Sequence, residues 1–365
     1  MTRQHLVAET GLSRATISAA LTALAAEDRV RETADTRAGG RGRPSMLVHV
    51  NTSQVELVGI EIGRAHVAVA VADAGDAVIG QADRDIDART GILARTEAAL
   101  ALLDGIVAAQ GLDLTTVRGF AVGTPGPKFS GDGHRSLDLA LARFTRDRAE
   151  VSAQLNARFG VPVLVENNTR YTALSETAQD SAGQNVAYLR VDEGVGGGVV
   201  VDGSLVSGSW GTAGELGHVC VDPTGPRCAC GGRGCVELVA SVPAVLAAAG
   251  CADVAELTHR LRTQDREAET AVQRAAQAAA QALAGVLAVL DVSLVLVGGR
   301  VARLPGFLAR LEEVLRDLAP GWCTAELTVL PTQDDRTAGA RGALVHARLT
   351  ADSAAGTGSR ARTTG

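Results

Sequence analysis

The 365-residue sequence contains few aromatic residues, a single lysine and no long apolar segment. Aromatic residues make up only 2% of it, too few for the stacking platforms that bind single-stranded nucleic acids. Arg, Asp, Gly or Gln interrupts each apolar run before it reaches the roughly 20 residues that a membrane span needs. The N-terminal stretch, MTRQHLVAETGLSRATIS, is polar and lacks the apolar centre of a secretion signal. We therefore expect a cytoplasmic protein that contacts no membrane and keeps its six cysteines reduced.

The composition is that of a globular protein with two or three domains, since 46% of the residues are hydrophobic and 21% are charged. Charge is unevenly distributed along the chain. Residues 1–50 hold seven arginines and five acidic residues, a net charge of +2, which leaves −8 for the rest of a chain whose net charge is −6. Because DNA repels an acidic body, any DNA contact is expected from residues 1–50.

The beginning of the chain follows the pattern of a helix-turn-helix. A helix predicted at residues 3–9 is broken by Gly11, and Ser13 is placed to accept a free backbone N–H at the start of a second helix. The second helix carries an apolar stripe formed by Ile17, Leu21 and Leu24. Its N-terminal end would reach base edges of DNA. The predicted DNA contacts on this helix are Ser13, Arg14, Thr16 and Ser18.

Two short strand-like runs, residues 30–33 and 46–50, flank a loop that contains Gly-Gly-Arg-Gly-Arg-Pro. Two strands around a basic loop are typical of a wing, and Arg41 and Arg43 would suit a narrow minor groove. A flexible linker is the alternative interpretation of this loop. Residues 1–50 are thus predicted to form a winged helix-turn-helix domain, although a complete one usually has a further helix before Leu6.

The rest of the chain repeats one order of elements: three strands, followed by alternating helices and strands. The first copy spans residues 51–180 and begins with the Val- and Ile-rich run at 55–71. The second copy spans residues 181–334 and begins with strands at 185–206. Such a repeat predicts two α/β lobes that face each other across a cleft, where ligands commonly bind.

Helices are predicted mainly in the second copy and after it. Two Ala-rich segments, 241–260 and 264–290, are each predicted to form a long helical stretch. A C-terminal helix at 335–350 is expected to pack back on the first lobe. Residues 351–365 are small and polar, which predicts a disordered tail.

The strongest chemical signal is a group of three cysteines and one histidine in a glycine-rich segment. The spacing His218-x9-Cys228-x-Cys230-x4-Cys235 supplies four ligands for a tetrahedral zinc ion, and the glycines let the chain fold around it. Four protein ligands leave no open position, so the predicted zinc is structural. Cys220 is an alternative ligand, and a set of free thiols is the alternative to a metal site.

This segment resembles the signature of the ROK family, which contains bacterial sugar kinases and sugar-responsive repressors. The matching residues are Glu215-Leu216-Gly217-His218 and Cys228-x-Cys230-Gly231-x-x-Gly234-Cys235-x-Glu237. The likeness extends from Val55 to about Ala347, and the helix-turn-helix head is typical of the repressor branch. The resemblance implies an α/β fold: a winged helix-turn-helix head followed by an actin-like (ribonuclease-H-like) body of two duplicated lobes. It also implies zinc on His218, Cys228, Cys230 and Cys235.

The resemblance further implies a sugar pocket in the cleft between the lobes. The residues that match the family's sugar ligands are Gly126, Asn167, Asn168, Glu215, His218 and Glu237. Amide and carboxylate groups suit a sugar, whose many hydroxyls both donate and accept hydrogen bonds. His218 could bind zinc through one ring nitrogen and the sugar through the other, which would link the metal to the pocket.

Three positions depart from the kinases of this family. The kinases carry an aspartate that takes the proton of the attacking hydroxyl, and the matching residue here is Asn168, whose amide cannot act as a base. The first phosphate turn, Glu61-Ile62-Gly63-Arg64, lacks the second glycine and the small hydroxyl residue of the kinases. The second phosphate loop begins with Asp192-Glu193, and these acids would face and repel a polyphosphate.

These features predict a catalytically inactive, sugar-responsive DNA-binding regulator that represses carbohydrate-metabolism genes as a homodimer or homotetramer. A sugar or sugar phosphate would alter its affinity for operator DNA. Activation is the alternative to repression, and corepression is the alternative to induction. Two other functions stay open: an ATP-dependent sugar kinase with a regulatory head, and a constitutive DNA-binding or scaffold protein whose pocket is vestigial.

Overall fold

The structure is a computed structural model that describes residues 1–34, 46–51, 53–126, 139–177, 184–332 and 336–348. Side chains of residues 139–143 are not described. The arginines predicted for the wing loop, Arg41 and Arg43, lie outside the described residues, and so does the tail predicted at 351–365.

The head consists of two helices and a two-stranded antiparallel sheet. Its elements are α1 (Arg3–Thr10), α2 (Arg14–Ala26), β1 (Val30–Ala34) and β2 (Met46–Val50). Gly11 ends α1 with a left-handed backbone (φ 68°), which turns the chain into α2. The Ser13 hydroxyl accepts the Thr16 N–H at 3.1 Å, so the predicted N-cap is confirmed. Ile17 and Leu21 are buried, as the apolar stripe predicted.

The first lobe is a five-stranded sheet with two helices on its outer face. Its elements are β3 (Leu57–Ile62), β4 (His66–Ala72), β5 (Val78–Asp85), α3 (Ile92–Gln110), β6 (Gly119–Thr124), α4 (Leu139–Phe159) and β7 (Val163–Asn167). The strand order is β5-β4-β3-β6-β7, with antiparallel pairs up to β3 and parallel pairs beyond it. Alternate residues of β3 face opposite ways, so Val58 and Ile60 pack with α3 and α4, whereas Leu57 packs toward the second sheet.

The second lobe repeats the sheet of the first. Its strands are β8 (Val186–Val191), β9 (Val195–Val201), β10 (Ser204–Leu205), β11 (Leu294–Gly298) and β12 (Thr328–Pro331). Their order is β10-β9-β8-β11-β12. As in the first sheet, two antiparallel pairs are followed by two parallel pairs. The duplicated two-lobe body predicted from the sequence is therefore confirmed.

Helices cover the outer face of the second sheet. They are α6 (Glu237–Ala240), α7 (Val242–Ala249), α8 (Val254–Arg262), α9 (Arg266–Leu290), α10 (Phe307–Leu318) and α11 (Gly321–Thr324). The continuous helical stretch predicted over 241–260 is wrong, because Gly250 ends α7 (φ 61°) and Asp253 caps α8 by accepting the Glu256 N–H at 2.8 Å. Within the described residues, no helix combines the length and apolar character that crossing a membrane demands.

Two helices, α5 (Asn168–Thr177) and α12 (residues 338–348), lie between the sheets. Buried residues of both helices join residues of both sheets in one apolar cluster. Glycine permits the closest approaches: a Cβ at Gly59 would collide with the Ala340 carbonyl, and a Cβ at Gly198 would lie 2.7 Å from the Ala173 Cβ. Gly198 belongs to the loop that resembles a phosphate loop. Its close contact with α5 is a reason for glycine at this position that does not involve a phosphate.

A buried carboxylate joins the head to the first lobe. Glu56, whose side chain is 2% exposed, precedes β3 and accepts hydrogen bonds from Arg29 of the head at 2.5 and 3.2 Å. It also pairs with Arg118 of the first lobe. Beside it, the Asp28 carboxylate accepts hydrogen bonds from Asn51 and Gln54, each at 3.0 Å. The turn that follows α2 is therefore held to the root of β3 by charged and polar contacts.

Candidate functional site

His218, Cys228, Cys230 and Cys235 come together in the loop between β10 and α6, and their ligand atoms all lie within 4.8 Å of one another. The Cys230 and Cys235 sulfurs are 3.6 Å apart, and the Cys228 sulfur is 3.6 Å from Nδ1 of His218. Around a tetrahedral zinc ion with bonds of about 2.0–2.3 Å, neighbouring ligand atoms are about 3.5–3.8 Å apart. The four predicted ligands thus form a cluster that can bind a metal ion and whose spacing suits zinc.

Glycines and backbone hydrogen bonds shape this metal loop. Gly231 (φ 90°) and Gly234 (φ 56°) adopt left-handed conformations that side chains disfavour. The Cys228 N–H donates to the Gly232 carbonyl at 3.0 Å, and the Gly232 N–H donates to the Cys230 sulfur at 3.4 Å. An N–H directed at a sulfur favours the thiolate, which is the form that binds metals.

The thiols of the cluster differ from Cys220, the alternative ligand. Burial raises the pKa of the Cys228 thiol and raises that of Cys235 to about 12. A bound cation would reverse these shifts, since metals bind the deprotonated thiolate and displace its proton. Cys220 is exposed and does not belong to the cluster, although its backbone bridges to Cys235.

Asn167, Gly126 and Glu215 meet at one corner where the two lobes come together. Nδ2 of Asn167, at the end of β7, donates to the Gly126 carbonyl at 3.0 Å and to Oε1 of Glu215 at 3.3 Å. Glu215 immediately precedes a 3-10 helix, Leu216–His218, so one short segment carries a predicted sugar ligand and a predicted metal ligand. Burial raises the pKa of Glu215, while nearby cationic groups and the Asn167 hydrogen bond oppose the shift. Three of the predicted sugar residues are thus brought together from both lobes.

Asn168 begins α5 beside a buried carboxylate. Its Nδ2 donates to Oε1 of Glu61 at 3.4 Å, and its Oδ1 accepts the Thr169 N–H at 2.9 Å. Glu61 is 2% exposed, and the same oxygen lies 3.3 Å from Nε2 of His66 and 3.8 Å from the Arg190 guanidinium. The amide of Asn168 therefore serves as a hydrogen-bond donor at this position and has no proton-accepting chemistry near neutral pH.

Glu237 lies at the start of α6, next to the β8–β9 hairpin. Its Oε2 accepts the Val195 N–H at 2.9 Å. The carbonyl of Val195 in turn borders Gly217, where a Cβ would collide with it. Glu237 and the 3-10 helix that contains His218 therefore both adjoin Val195.

The second loop that resembles a phosphate loop is occupied by ion pairs. Arg300, after β11, contacts Asp192 at 2.6 Å and Glu193 at 2.5 Å. Arg190 lies between Glu61 and Asp192, at 3.8 and 3.9 Å. Two guanidiniums are shared among the three carboxylates of Asp192, Glu193 and Glu61, so the arginines offset only part of the negative charge that is expected to repel a polyphosphate. An anion would also have to displace the carboxylates from Arg300.

Two buried arginines lie close enough to Glu215 to act on its charge, and nothing in the sequence pattern marks them as part of the site. Arg148, on α4, donates from Nε to the Thr124 hydroxyl at 2.9 Å and from NH2 to the Gly126 carbonyl at 2.6 Å. Burial lowers the pKa of Arg148 to about 10, and the nearby Glu166 and Glu215 carboxylates oppose the shift. The other arginine, Arg170 on α5, is fully buried. The backbone carbonyls that these two side chains contact lie far from them in the sequence, at Gly126 for Arg148 and at Val206 and Gly211 for Arg170.

The predicted DNA contacts of the head differ in their exposure. Ser13, Arg14 and Thr16 are exposed at the start of α2, where the Ser13 and Thr16 hydroxyl oxygens are 2.9 Å apart. Ser18 is half-buried and accepts a hydrogen bond from Arg3 at 3.1 Å. The first turn of α2 therefore offers a free surface, whereas Ser18 is held within the head.

Residues 57–349 match the model of the ROK family. The chain belongs to the ROK family. The matched region begins at β3 and runs through both lobes, so it leaves the head outside.

Among curated proteins, this ROK chain is similar to N-acetylmannosamine kinases. It shares 40% identity over 162 residues with the enzyme of Citrobacter koseri and 34% over 169 residues with that of Haemophilus influenzae. These alignments cover 43% and 44% of this chain and 56% of each kinase. The chain thus spans little more than half the length of the curated relatives it matches.

Two solved ROK structures resemble this chain to different extents. A ROK family transcriptional regulator, a homologue of the E. coli MLC protein, has a TM-score of 0.73 and 25% identity, with 96% of this chain and 92% of its own covered. The ROK hexokinase from Thermus thermophilus has a TM-score of 0.67 and 28% identity, with 81% of this chain and 99% of its own covered. Because the likeness to the regulator covers 96% of this chain, it includes most of the head.

Proposed function

We propose that this ROK protein is a sugar-responsive transcriptional regulator. Its head binds operator DNA, a sugar binds in the cleft, and the bound sugar alters the affinity for DNA. It acts in the cytoplasm as a homodimer or homotetramer, because the two half-sites of an operator require two heads. Repression of carbohydrate-metabolism genes, relieved by the sugar, is the mode that we favour.

The observation that carries this proposal is a helix-turn-helix head attached to a ROK body. The likeness to the ROK regulator covers 96% of the chain, whereas the likeness to the ROK hexokinase covers 81%. The exposed start of α2, with Arg14 and Thr16, supplies side chains for the major groove. Sequence specificity would come from these residues, and Arg41 and Arg43 would add contacts in the minor groove.

The sugar is proposed to bind where Asn167 faces Glu215. A hydroxyl group can donate to the Glu215 carboxylate and accept from an amide, so one sugar could replace the contact of 3.3 Å between them. The remaining proposed sugar residues are Gly126, Asn168, His218 and Glu237. Gly126 has a left-handed backbone (φ 84°), and a Cβ there would collide with the Phe144 ring.

The metal cluster is proposed to hold a structural zinc ion on His218, Cys228, Cys230 and Cys235. Zinc would supply a rigid tetrahedral anchor for the loop and no open coordination position. Nδ1 of His218 is the ring nitrogen that faces the thiols, so Nε2 is left for the sugar. The metal loop would thereby fix the orientation of one sugar ligand.

We propose that the cleft binds a sugar without phosphorylating it. Asn168 offers an amide where a base is required, and loss of a general base commonly lowers rates about 10²–10⁴-fold. Arg300 and Arg190 are committed to Asp192, Glu193 and Glu61, so the loop is filled by the protein's own charges. Arg64 replaces a small residue in the first phosphate turn.

One strand offers a direct route from the cleft to the head. β3 begins after Glu56, which holds Arg29 of the head, and it ends near Glu61, which contacts Asn168. Closure of the cleft around a sugar would shift Asn168 and Glu61, and β3 would carry the displacement to the joint. The required coupling free energy is only about 1–3 kcal/mol.

Calorimetric titration tests the binding site. We expect at least one sugar from a panel of hexoses, N-acetylhexosamines and their 6-phosphates to bind, and Glu215→Gln to weaken that binding at least about tenfold. Asp87→Asn is the control, because Asp87 and its partner Arg89 are both exposed and neither belongs to the proposed sugar residues. A silent panel, or equal affinities for the wild type and Glu215→Gln, would contradict the proposed site.

A sugar kinase with a regulatory head is the second candidate, and the likeness to N-acetylmannosamine kinases favours it. In that case Glu61 would be the residue able to accept a proton, because its carboxylate accepts a hydrogen bond from the Asn168 amide. A coupled assay of ADP release with ATP and N-acetylmannosamine or hexoses separates the two functions. We expect no steady turnover, whereas turnover abolished by Glu61→Gln or Asn168→Ala would establish the kinase.

A further inference from the structure

Arg170 makes an unusual set of contacts for a fully buried cation. Its NH1 donates to the Gly211 carbonyl at 2.6 Å, and its NH2 donates to the Val206 carbonyl at 2.8 Å and to the Ser207 hydroxyl at 3.3 Å. NH1 also lies 3.6 Å from the Glu166 carboxylate. Arg170 therefore connects α5 to a segment of the second lobe, where it donates hydrogen bonds to two backbone carbonyls.

That segment leads directly to the proposed sugar residue Glu215. It is closed on itself by a hydrogen bond of 3.2 Å from the Ala213 N–H to the Ser207 carbonyl. Only three residues separate Gly211 from Glu215, so the position of the Gly211 carbonyl limits where the carboxylate can lie. At the end of the segment, Gly214 packs against β9 with its Cβ position 3.2 Å from the Gly198 Cα.

NH1 of Arg170 also faces Glu166, the residue that precedes Asn167. Oε1 of Glu166, which is 1% exposed, accepts the backbone N–H of Asn167 at 2.8 Å. The same oxygen faces the Arg170 guanidinium. Arg170 thus contacts the group that orients Asn167 and, through Gly211, the segment that carries Glu215.

Burial of this arginine is costly and is not fully compensated. Its Nε has no hydrogen-bond partner within the part of the chain that the structure describes. Buried ion pairs of this kind commonly contribute no more stability than apolar side chains of similar volume. The directional bonds to two carbonyls, which an apolar side chain cannot make, explain the presence of arginine better than stability does.

We propose that Arg170 is a positioning residue of the sugar site, which holds the 206–211 segment of the second lobe against the Glu166–Asn167 corner of the first. Because it rests on the proposed function, the inference predicts that Arg170 sets the distance between Asn167 and Glu215 without touching the sugar. This contact fixes one corner of the site, so a sugar meets a preset amide–carboxylate pair there, and closure of the cleft takes place around that corner.

Arg170→Lys tests this role, because lysine keeps the charge but cannot reach both carbonyls with a planar fork. We expect sugar affinity to fall about tenfold, as for loss of one hydrogen bond to a charged group. Amide hydrogen exchange should accelerate in residues 206–215 and stay unchanged in the metal loop 218–235. Arg316→Lys is the matched control and should resemble the wild type in sugar affinity and in exchange at 206–215, because Arg316 also donates to two backbone carbonyls, those of Thr324 and Leu327, but on the outer face of the second lobe.

Unchanged affinity and unchanged exchange in folded Arg170→Lys would overturn the inference. Should that variant fail to fold, Glu166→Gln keeps an acceptor for the Asn167 N–H while it weakens the contact with Arg170. Faster hydrogen exchange at 206–215 in Glu166→Gln supports the positioning role of Arg170, and unchanged exchange overturns it. If the wild type binds no sugar, the proposed function fails, whereas hydrogen exchange still tests the hold of Arg170 on the segment.

Discussion

At the scale of single residues, the site divides into side chains that a motif marks and side chains that only the fold reveals. His218 and the three cysteines belong to one short signature, and their regular spacing was sufficient to predict the cluster. The roles of Arg148 and Arg170 could not be predicted, because the backbone carbonyls to which they donate include ones 22 and 41 residues away. Contacts of this kind depend on how the lobes are packed and leave no periodic pattern in the sequence.

Substitution of one cluster cysteine tests the metal centre. We expect Cys228→Ser to reduce the bound zinc from about one ion per chain to near zero, since zinc needs all four ligands for a closed tetrahedral site. The melting temperature should fall as well, because binding of a structural metal is coupled to folding. Elemental analysis and a thermal scan measure both effects.

Cys220→Ser is the control for this experiment, because Cys220 lies outside the cluster and is exposed. It should keep the zinc and the melting temperature of the wild type. Full zinc occupancy in Cys228→Ser, or loss of zinc in Cys220→Ser, would show that the ligand set is wrong.

At the scale of elements, periodicity predicted the strands and most of the helices of the body. It missed the break at Gly250, because a single glycine inside an Ala-rich run does not by itself end a helix. It also gave no sign that a glycine of β9 packs against a helix. The contact of Gly198 with α5 becomes visible only in the folded structure.

Two glycine substitutions separate a packing role from helix propensity. Gly198→Ala should destabilise the protein by about 1–3 kcal/mol, since its Cβ would lie 2.7 Å from the Ala173 Cβ. Gly285→Ala on α9 has open space around it and should stabilise the protein by about 0.5–1 kcal/mol. Denaturant unfolding measures both, and a neutral Gly198→Ala would contradict the proposed packing of α5 on β9.

At the scale of the whole molecule, the unequal distribution of charge matches the division into head and body. The head carries the net positive charge, and Glu56 joins it to an acidic body through Arg29 and Arg118. The sequence predicted two lobes and a head, but it could not predict this joint, because Arg29, Glu56 and Arg118 belong to three separate segments. The joint and the cleft lie at opposite ends of β3.

Weakening this joint should uncouple the two ligands. Glu56→Gln removes the charge shared by Arg29 and Arg118, so we expect sugar affinity to stay within about twofold while the effect of sugar on DNA binding shrinks toward none. Fluorescence anisotropy with a duplex selected from a random library measures DNA affinity with and without sugar. Asp104→Asn is the control, because its ion pair with Arg158 lies within the first lobe. Full coupling in Glu56→Gln would exclude β3 as the route.

The most direct test of the account is the affinity of the wild type for its selected duplex, measured without sugar and at saturating sugar. The account predicts a change of about 5–150-fold, which corresponds to a coupling free energy of about 1–3 kcal/mol. It also predicts that the change disappears in Glu215→Gln at the same sugar concentration. The account would be contradicted if the protein bound the duplex tightly and with the same affinity in the presence and absence of a sugar known to occupy the cleft.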